Sequence, residues 1–246
     1  NQISIESCST VVPELPEVET TCRAMKRYAQ SSRITRVVVR DARLRYPVPA
    51  NLATLLRGKR IREVRRRGKY LLFSCDSGDL LVHLGMSGSL RVVSESSIPE
   101  KHDHVDLVLD NGWCIRYRDP RRFGLILWAP CAADHMLLRD LGPEPLESDF
   151  SGAYLAERAR GRKTAVKAFI MDSHIVVGVG NIYANEALFL AGIRPACAAG
   201  RLAKGRVEQL ANAIKTVLCD AVRAGGTTLR DFTSGKGEPG YFQQKL

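Results

Sequence analysis

Residues 105–117, Val-Asp-Leu-Val-Leu-Asp-Asn-Gly-Trp-Cys-Ile-Arg-Tyr, alternate apolar and polar positions on both sides of Asp110-Asn111-Gly112. Val105, Leu107 and Leu109 before the turn, and Trp113, Ile115 and Tyr117 after it, have the period of two of a half-buried strand. Asn-Gly supplies the tight turn that joins two antiparallel strands. Outward from this hairpin, the segments around 37–39, 70–73, 80–83 and 125–128 read as further strands, enough for a β-sandwich or barrel across residues 34–128. Residues 16–28 read as a helix, with Pro16 suited to the first turn and Val18, Cys22, Met25 and Ala29 on one apolar stripe. After Leu141-Gly142-Pro143-Glu144-Pro145 the pattern becomes helical, with candidates at 151–160, 163–171, 181–191 and 202–223. The tail from Gly225 reads as a loop. The expected fold class is α+β: a β-sandwich with flanking helices over 13–148 and an all-helical domain over 149–246, behind an extension, 1–12, of doubtful status.

The chain has 246 residues, 45% of them hydrophobic, and a formal charge of +11. That length buries a real core, and no apolar run reaches the roughly 20 residues of a membrane span. A soluble, intracellular protein is expected, with no membrane partner. The basic excess favours a polyanion, and Arg62, Arg65, Arg66, Arg67, Lys69, Arg116, Arg118, Arg121, Arg122, Arg160, Arg162, Lys163 and Lys167 are spread through folded segments, which favours nucleic acid over a lipid surface. Seven cysteines, widely spaced and never in a C-x-x-C pair, indicate neither a disulfide framework nor a cysteine zinc site.

Pro13-Glu14-Leu15-Pro16-Glu17-Val18-Glu19 carries the chemistry most worth testing. As a chain start, Pro13 is a secondary amine able to form an iminium ion; inside a chain it is an inert tertiary amide. Glu14 beside it is a carboxyl that can donate or accept a proton, whereas Glu17 and Glu19 are explained as acids favoured at a helix start. Lys69 opens a strand after Gly68, and its ordinary reading is a surface lysine; Arg65 to Arg67 read as solvated or on phosphates. Met86 lies between glycines in His83-Leu84-Gly85-Met86-Ser87-Gly88, at a loop tip rather than in a core. His102 and His104 flank Asp103 without a third ligand at metal spacing, so a polar or phosphate contact is preferred. Asp119-Pro120-Arg121-Arg122-Phe123-Gly124 is an Arg-rich turn with an exposed aromatic, which can also form a wedge into a base stack. Gly178-Val179-Gly180-Asn181 precedes a helix and offers backbone N–H groups to a phosphate. Helix, two turns, helix suits that region better than a dinucleotide fold.

Together with Gly-Lys-Tyr-Leu-Leu at 68, Lys-His-Asp-His-Val-Asp at 101, Lys-Thr-Ala-Val-Lys at 163, Val-Gly-Val-Gly-Asn-Ile-Tyr at 177 and Gly-Gly-Thr-Thr-Leu at 225, these stretches resemble bacterial formamidopyrimidine-DNA glycosylases. The resemblance runs in order from Pro13 to the last residue. It implies a β-sandwich, a helix-two-turns-helix domain and a C-terminal zinc finger. It implies a cytoplasmic, nucleoid-associated repair enzyme that acts as a monomer on double-stranded DNA, excising 8-oxoguanine and formamidopyrimidines and then nicking at the abasic site. By position, Pro13 is the implied nucleophile, Glu14 the acid for sugar ring opening, and Lys69 a phosphate and proton-transfer partner. Met86, Arg121 and Phe123 fill the gap left by the flipped nucleotide, with Arg121 facing the orphan cytosine. His102, Arg162, Lys167 and Asn181 hold phosphates, and residues 233–240 fold over the purine.

Two departures set further expectations. The implied four-cysteine finger falls beyond Gln244, so no zinc is expected in this chain, and lesion binding and δ-elimination are expected to be impaired. Val12 stands where an initiator Met is expected, as a GTG start codon read literally would give. A catalytically silent DNA-binding relative with blocked Pro13, or a truncated fragment, is the alternative reading.

Overall fold

The computed structural model describes residues 12–226. Helix α1, Leu15–Ala29, leads into β1, Ile34–Val39, the short α2, Leu52–Leu56, and then seven strands: β2 Ile61–Arg67, β3 Tyr70–Cys75, β4 Gly78–His83, β5 Ser89–Ser94, β6 Asp103–Leu109, β7 Trp113–Arg118 and β8 Leu125–Ala129. They pair antiparallel into two four-stranded sheets, ordered β1-β6-β7-β5 and β2-β3-β4-β8. This is the sandwich expected from the alternation. Its core joins Leu71, Phe73, Leu80 and Val82 of one sheet to Val105, Leu107, Ile115 and Tyr117 of the other, and Val18, Cys22, Met25 and Ala29 of α1 pack into it. The hairpin turn is tied to the end of α1: Asn111 Nδ2 donates to the Tyr28 carbonyl at 2.9 Å, and Trp113 meets the Tyr28 ring edge-on at 5.4 Å.

Two strands and α2 escaped the sequence pattern. In β2 a register shift between Ile61 and Glu63 breaks the alternation, so Ile61 and Val64, three residues apart, are both buried. The flanking charges then hid the strand. Arg66 and Arg67 also correct the expectation that this run is solvated or on phosphates. Arg66 donates to Glu19 at 2.9 Å and Glu144 at 2.6 Å, while Arg67 donates to Glu144 at 3.1 Å and to the carbonyls of Leu141 and Gly142. These side chains fasten the sandwich to the segment leading into the helical domain.

Arg116 is likewise structural rather than available to a polyanion. All of β6 is buried, because its polar face is covered as well as its apolar one. Arg116 grips Asp106 with two contacts of 2.9 Å and donates to the carbonyls of Ser97 and Ile98, while Arg40 reaches Asp106 at 2.6 Å and Arg91 reaches Asp103 at 2.6 Å. Burial pushes the Asp106 carboxyl upward, but the hydrogen bonds and charges of Arg40 and Arg116 outweigh it and hold the group below its usual range. A carboxylate with a depressed folded pKa stabilises above its unfolded pKa, and that contribution is lost as pH falls through the folded one. The expected outcome is a melting temperature that falls between about pH 5 and about pH 3, by about 2–4 °C per kcal/mol lost, with a shallower slope in Asp106→Asn. An unchanged slope assigns the acid sensitivity to other carboxylates.

The second body contains α3 Gly152–Ala159, α4 Val166–Met171, α5 Asn181–Leu190 and α6 Lys204–Arg223. Helix α4 starts three residues later than the apolar pattern suggested, because Ala165 is drawn into a bridge with Ala198. The core packs Leu155, Ile170, Val176, Tyr183 and Leu188 around the α6 stripe of Val207, Leu210, Ile214 and Leu218. Leu15, at the start of α1, belongs to this core rather than to the sandwich. The first turn of α1 is therefore held between the two bodies, and that placement builds the site.

Candidate active site and nucleic-acid interface

Pro13 and Glu14 are buried, and Glu14 lies against the turn that precedes α5. The Leu15 N–H donates to the Gly178 carbonyl at 3.0 Å, which fixes the approach of the segment. The Glu14 carboxylate then accepts from the backbone N–H groups of Gly180 at 2.6 Å, Ile182 at 2.8 Å and Tyr183 at 3.4 Å. These are the donors that a helix start leaves without intrahelical partners. Within Gly178-Val179-Gly180-Asn181, the stretch expected to offer N–H groups to a phosphate, the Gly180 N–H is thus taken by a carboxylate of the chain itself. Gly180 is dictated by this approach, since a Cβ there would lie 2.4 Å from Glu14 Cδ. Glu17 closes the arrangement by accepting from the Glu14 N–H at 3.0 Å and from the Tyr183 hydroxyl at 2.7 Å. Helix-start stabilisation thus describes only part of what Glu17 does, and Glu19 pairs with Arg66 rather than simply facing solvent.

Lys69 enters from the sandwich. Gly68 packs on Val177, and Gly68 N–H donates to Glu144 at 2.7 Å, so the β2–β3 turn meets the same loop that receives Glu14. Lys69 lines a cavity of about 340 Å³ together with Tyr70, His83, Leu141, His174 and Val177 to Val179. The surface position that its sequence context suggested is not the one it takes. Burial lowers the Lys69 pKa, opposed by the charges of Glu14 and Glu17. Burial likewise raises that of Glu14, opposed by Lys69 and by the N–H groups of Ile182 and Gly180. The two groups lie near enough for each charge to act on the other, and burial shifts both toward their neutral forms, the direction expected of side chains that exchange protons.

His83 is a cavity residue that the sequence left without a role. Its Nδ1 accepts from the Gly85 N–H at 2.9 Å, and burial together with the Lys69 and Arg45 charges brings its pKa down to about 4, so the ring is neutral with its proton on Nε2. Only the cross-strand register, which sets His83 opposite Tyr70, brings it beside Lys69.

Two of the expected wedge residues, Arg121 and Phe123, meet on the turn that follows β7. The Arg121 guanidinium lies over the Phe123 ring at 5.1 Å, and Phe123 is 46% exposed. Arg121 N–H donates to Ser87 Oγ at 3.1 Å, and Gly85 packs on the Phe123 and Gly124 backbone, so the turn that carries Met86 lies against the Arg121 turn. His102 has a left-handed backbone, φ 74°, and its carbonyl accepts from the Asp119 N–H at 3.1 Å. His104 is buried, with Nε2 2.8 Å from the Asp119 carbonyl oxygen. Lys167 and Asn181 line one shallow groove with Ala165 and Pro195. Arg162 is exposed in the turn after α3, its Nε 3.4 Å from the Arg158 carbonyl. Among the described residues no cluster of three His, Cys, Asp or Glu side chains could hold a metal ion, and no helix is long and apolar enough to cross a membrane. Residues 233–240, expected to cover a flipped purine, lie outside the described residues, as do 1–11.

Comparison with known proteins gives consistent matches along the chain. Residues 12–126 match the formamidopyrimidine-DNA glycosylase N-terminal domain, and residues 141–233 match the H2TH domain of the same enzymes. The chain is 55% identical over 235 residues to the formamidopyrimidine-DNA glycosylase of Pseudomonas aeruginosa (strain LESB58), covering 96% of this chain and 87% of that protein. It is 58% identical over 237 residues to the protein of the same name from Halorhodospira halophila (strain DSM 244 / SL1), with coverages of 96% and 88%. Among solved structures, the MutM (Fpg) protein of Thermus thermophilus superposes with a TM-score of 0.84 at 38% identity, over 95% of this chain and 85% of that one. The Lactococcus lactis protein in complex with abasic-site DNA gives 0.87 at 31% identity, with coverages of 95% and 86%.

Proposed function

Because this chain belongs to the formamidopyrimidine-DNA glycosylase family, we propose that it is a DNA-repair glycosylase that removes 8-oxoguanine and formamidopyrimidines from double-stranded DNA and then cleaves the strand at the abasic site. The observation that carries this reading is the Glu14 carboxylate, buried next to Pro13 in the chain, held by the start of α5 and within reach of the Lys69 charge. An acid restrained in that way is ready to protonate a sugar oxygen once the damaged nucleotide is turned out of the stack, which costs a few kcal/mol.

In the proposed sequence the Pro13 amine, free when the chain starts there, attacks the anomeric carbon. The bond to the base breaks and the base leaves with its electron pair, taking a proton. Glu14 assists opening of the sugar ring, and nitrogen becomes an iminium. The iminium acidifies the neighbouring sugar protons, so loss of one expels the 3′ phosphate and loss of a second expels the 5′ phosphate. Lys69 receives and returns protons beside a backbone phosphate. Met86, Arg121 and Phe123 occupy the vacated space, and His102, Arg162, Lys167 and Asn181 fix the flanking phosphates. The test is release of free 8-oxoguanine from a duplex carrying it opposite cytosine, with cleavage of the strand at the same position. Recovery of intact strand and base defeats the reading.

Arg121→Ala separates a base contact from a phosphate contact. A well-placed guanidinium on a base edge contributes about 1–3 kcal/mol of discrimination. The expected outcome is about a tenfold or greater loss of preference for cytosine opposite the lesion. Equal weakening on every duplex makes Arg121 a phosphate contact.

A further inference from the structure

We infer that Ser87 is a positioning residue that sets which base is accepted opposite the lesion, by bolting the Arg121 turn to the Met86 turn through the buried carboxylate of Asp119. This rests on the wedge reading above and deepens it. Ser87 and Asp119 are 32 residues apart, yet Ser87 Oγ donates to Asp119 Oδ1 at 2.7 Å. The same hydroxyl oxygen accepts from the Arg121 N–H at 3.1 Å, so one small side chain fastens the backbone of the arginine to the turn that carries Met86. Asp119 is fully buried, and its other oxygen accepts from the Gly124 N–H at 2.8 Å and the Tyr117 hydroxyl at 3.2 Å.

The two turns also touch through backbone alone. A Cβ on Gly85, next to Met86, would sit 2.4 Å from the Gly124 nitrogen and 2.4 Å from the Phe123 carbonyl carbon, leaving no room for a larger residue. The Asp119 side chain thus holds one end of the Arg121–Phe123 turn directly, at Gly124, and Ser87 holds the other, at Arg121. Without the hydroxyl, Arg121 keeps its charge and its ring contact with Phe123 but loses the anchor of its main chain. Directional recognition of a base edge degrades when the donor fork is free to shift.

The test uses the full chain and duplexes carrying a tetrahydrofuran abasic analogue opposite cytosine or adenine, with binding followed by fluorescence anisotropy; no catalytic turnover is required. The ratio of affinities, cytosine over adenine, is expected to fall about fivefold in Ser87→Ala, the equivalent of one ordinary hydrogen bond. Ser87→Thr, which keeps the hydroxyl, restores it. In an Arg121→Ala background the Ser87→Ala change is expected to leave the ratio where it is, because two residues acting through one contact are not additive. The assignment is overturned if Ser87→Ala retains the wild-type ratio while Arg121→Ala abolishes it. It is also overturned if Ser87→Ala lowers the ratio further without Arg121, since a general loosening of the fold would do that. An Arg121→Ala protein with the wild-type ratio refutes the wedge reading itself, and the assignment of Ser87 with it.

Discussion

Glu14→Gln is expected to slow base excision by about a hundredfold to ten-thousandfold, the range associated with a positioned general acid. The side chain keeps its size, so the result isolates proton chemistry and charge. Two carboxylate oxygens now take three N–H donors from Gly180, Ile182 and Tyr183. A carboxamide replaces one oxygen with an NH2 group that faces a donor, and the variant is expected to lose about 1–3 kcal/mol of stability. Those two effects separate the roles of the residue. Single-turnover excision and thermal melting are measured on the same protein. If melting falls while excision stays within about tenfold of wild type, Glu14 is a helix cap and not an acid. The pH response has a definite sign as well. The folded pKa of Glu14 is raised from its ordinary 4.5, chiefly by burial. Its contribution to stability is therefore complete below that ordinary value and declines as pH rises through the folded one. Glu14→Gln removes this slope, in the sense opposite to the acid sensitivity expected from Asp106.

The second large effect is all-or-none and concerns the Pro13 nitrogen. A protein that begins at Pro13 is expected to give a covalent adduct with an 8-oxoguanine duplex under borohydride, and a protein that retains Val12 is expected to give none. An α-amine titrates near ~8, so about a tenth of it is unprotonated at neutral pH, whereas an amide nitrogen has no available pair. Denaturing electrophoresis of the labelled duplex reads the result directly. A competing nucleophile close to Glu14 is Lys69, whose pKa is lowered by burial. An adduct that forms with Val12 in place and disappears in Lys69→Ala moves the nucleophile from Pro13 to Lys69.

Much of this architecture was legible before any coordinate. The period of two around Asn111-Gly112, the stripe of α1 and the long apolar repeat of α6 are local signals, because burial on one face of a regular element imposes its own spacing. β2 was illegible for an equally local reason: the register shift after Ile61 removes the alternation, and the charges of Arg65 to Arg67 disguise what remains. The candidate residues were legible as motifs, but not what each one touches. Arg66 and Arg121 look alike in sequence. One is buried between Glu19 and Glu144, the latter 78 residues away, and the other lies over an exposed ring at a turn.

By itself, then, the sequence determined the element types, their order in two bodies and the family to which the motifs belong. The tertiary structure decided that the charges of Arg66, Arg67 and Arg116 are occupied within the protein. It gave the Gly180 N–H, in a stretch that reads as a phosphate cradle, to Glu14, and it drew Lys69 from an apparent surface into a cavity. Residues 14 and 182 are 168 positions apart and meet at 2.8 Å. Backbone propensity acts over a few residues, whereas desolvation and pairing are set by whatever the fold brings within a few ångströms.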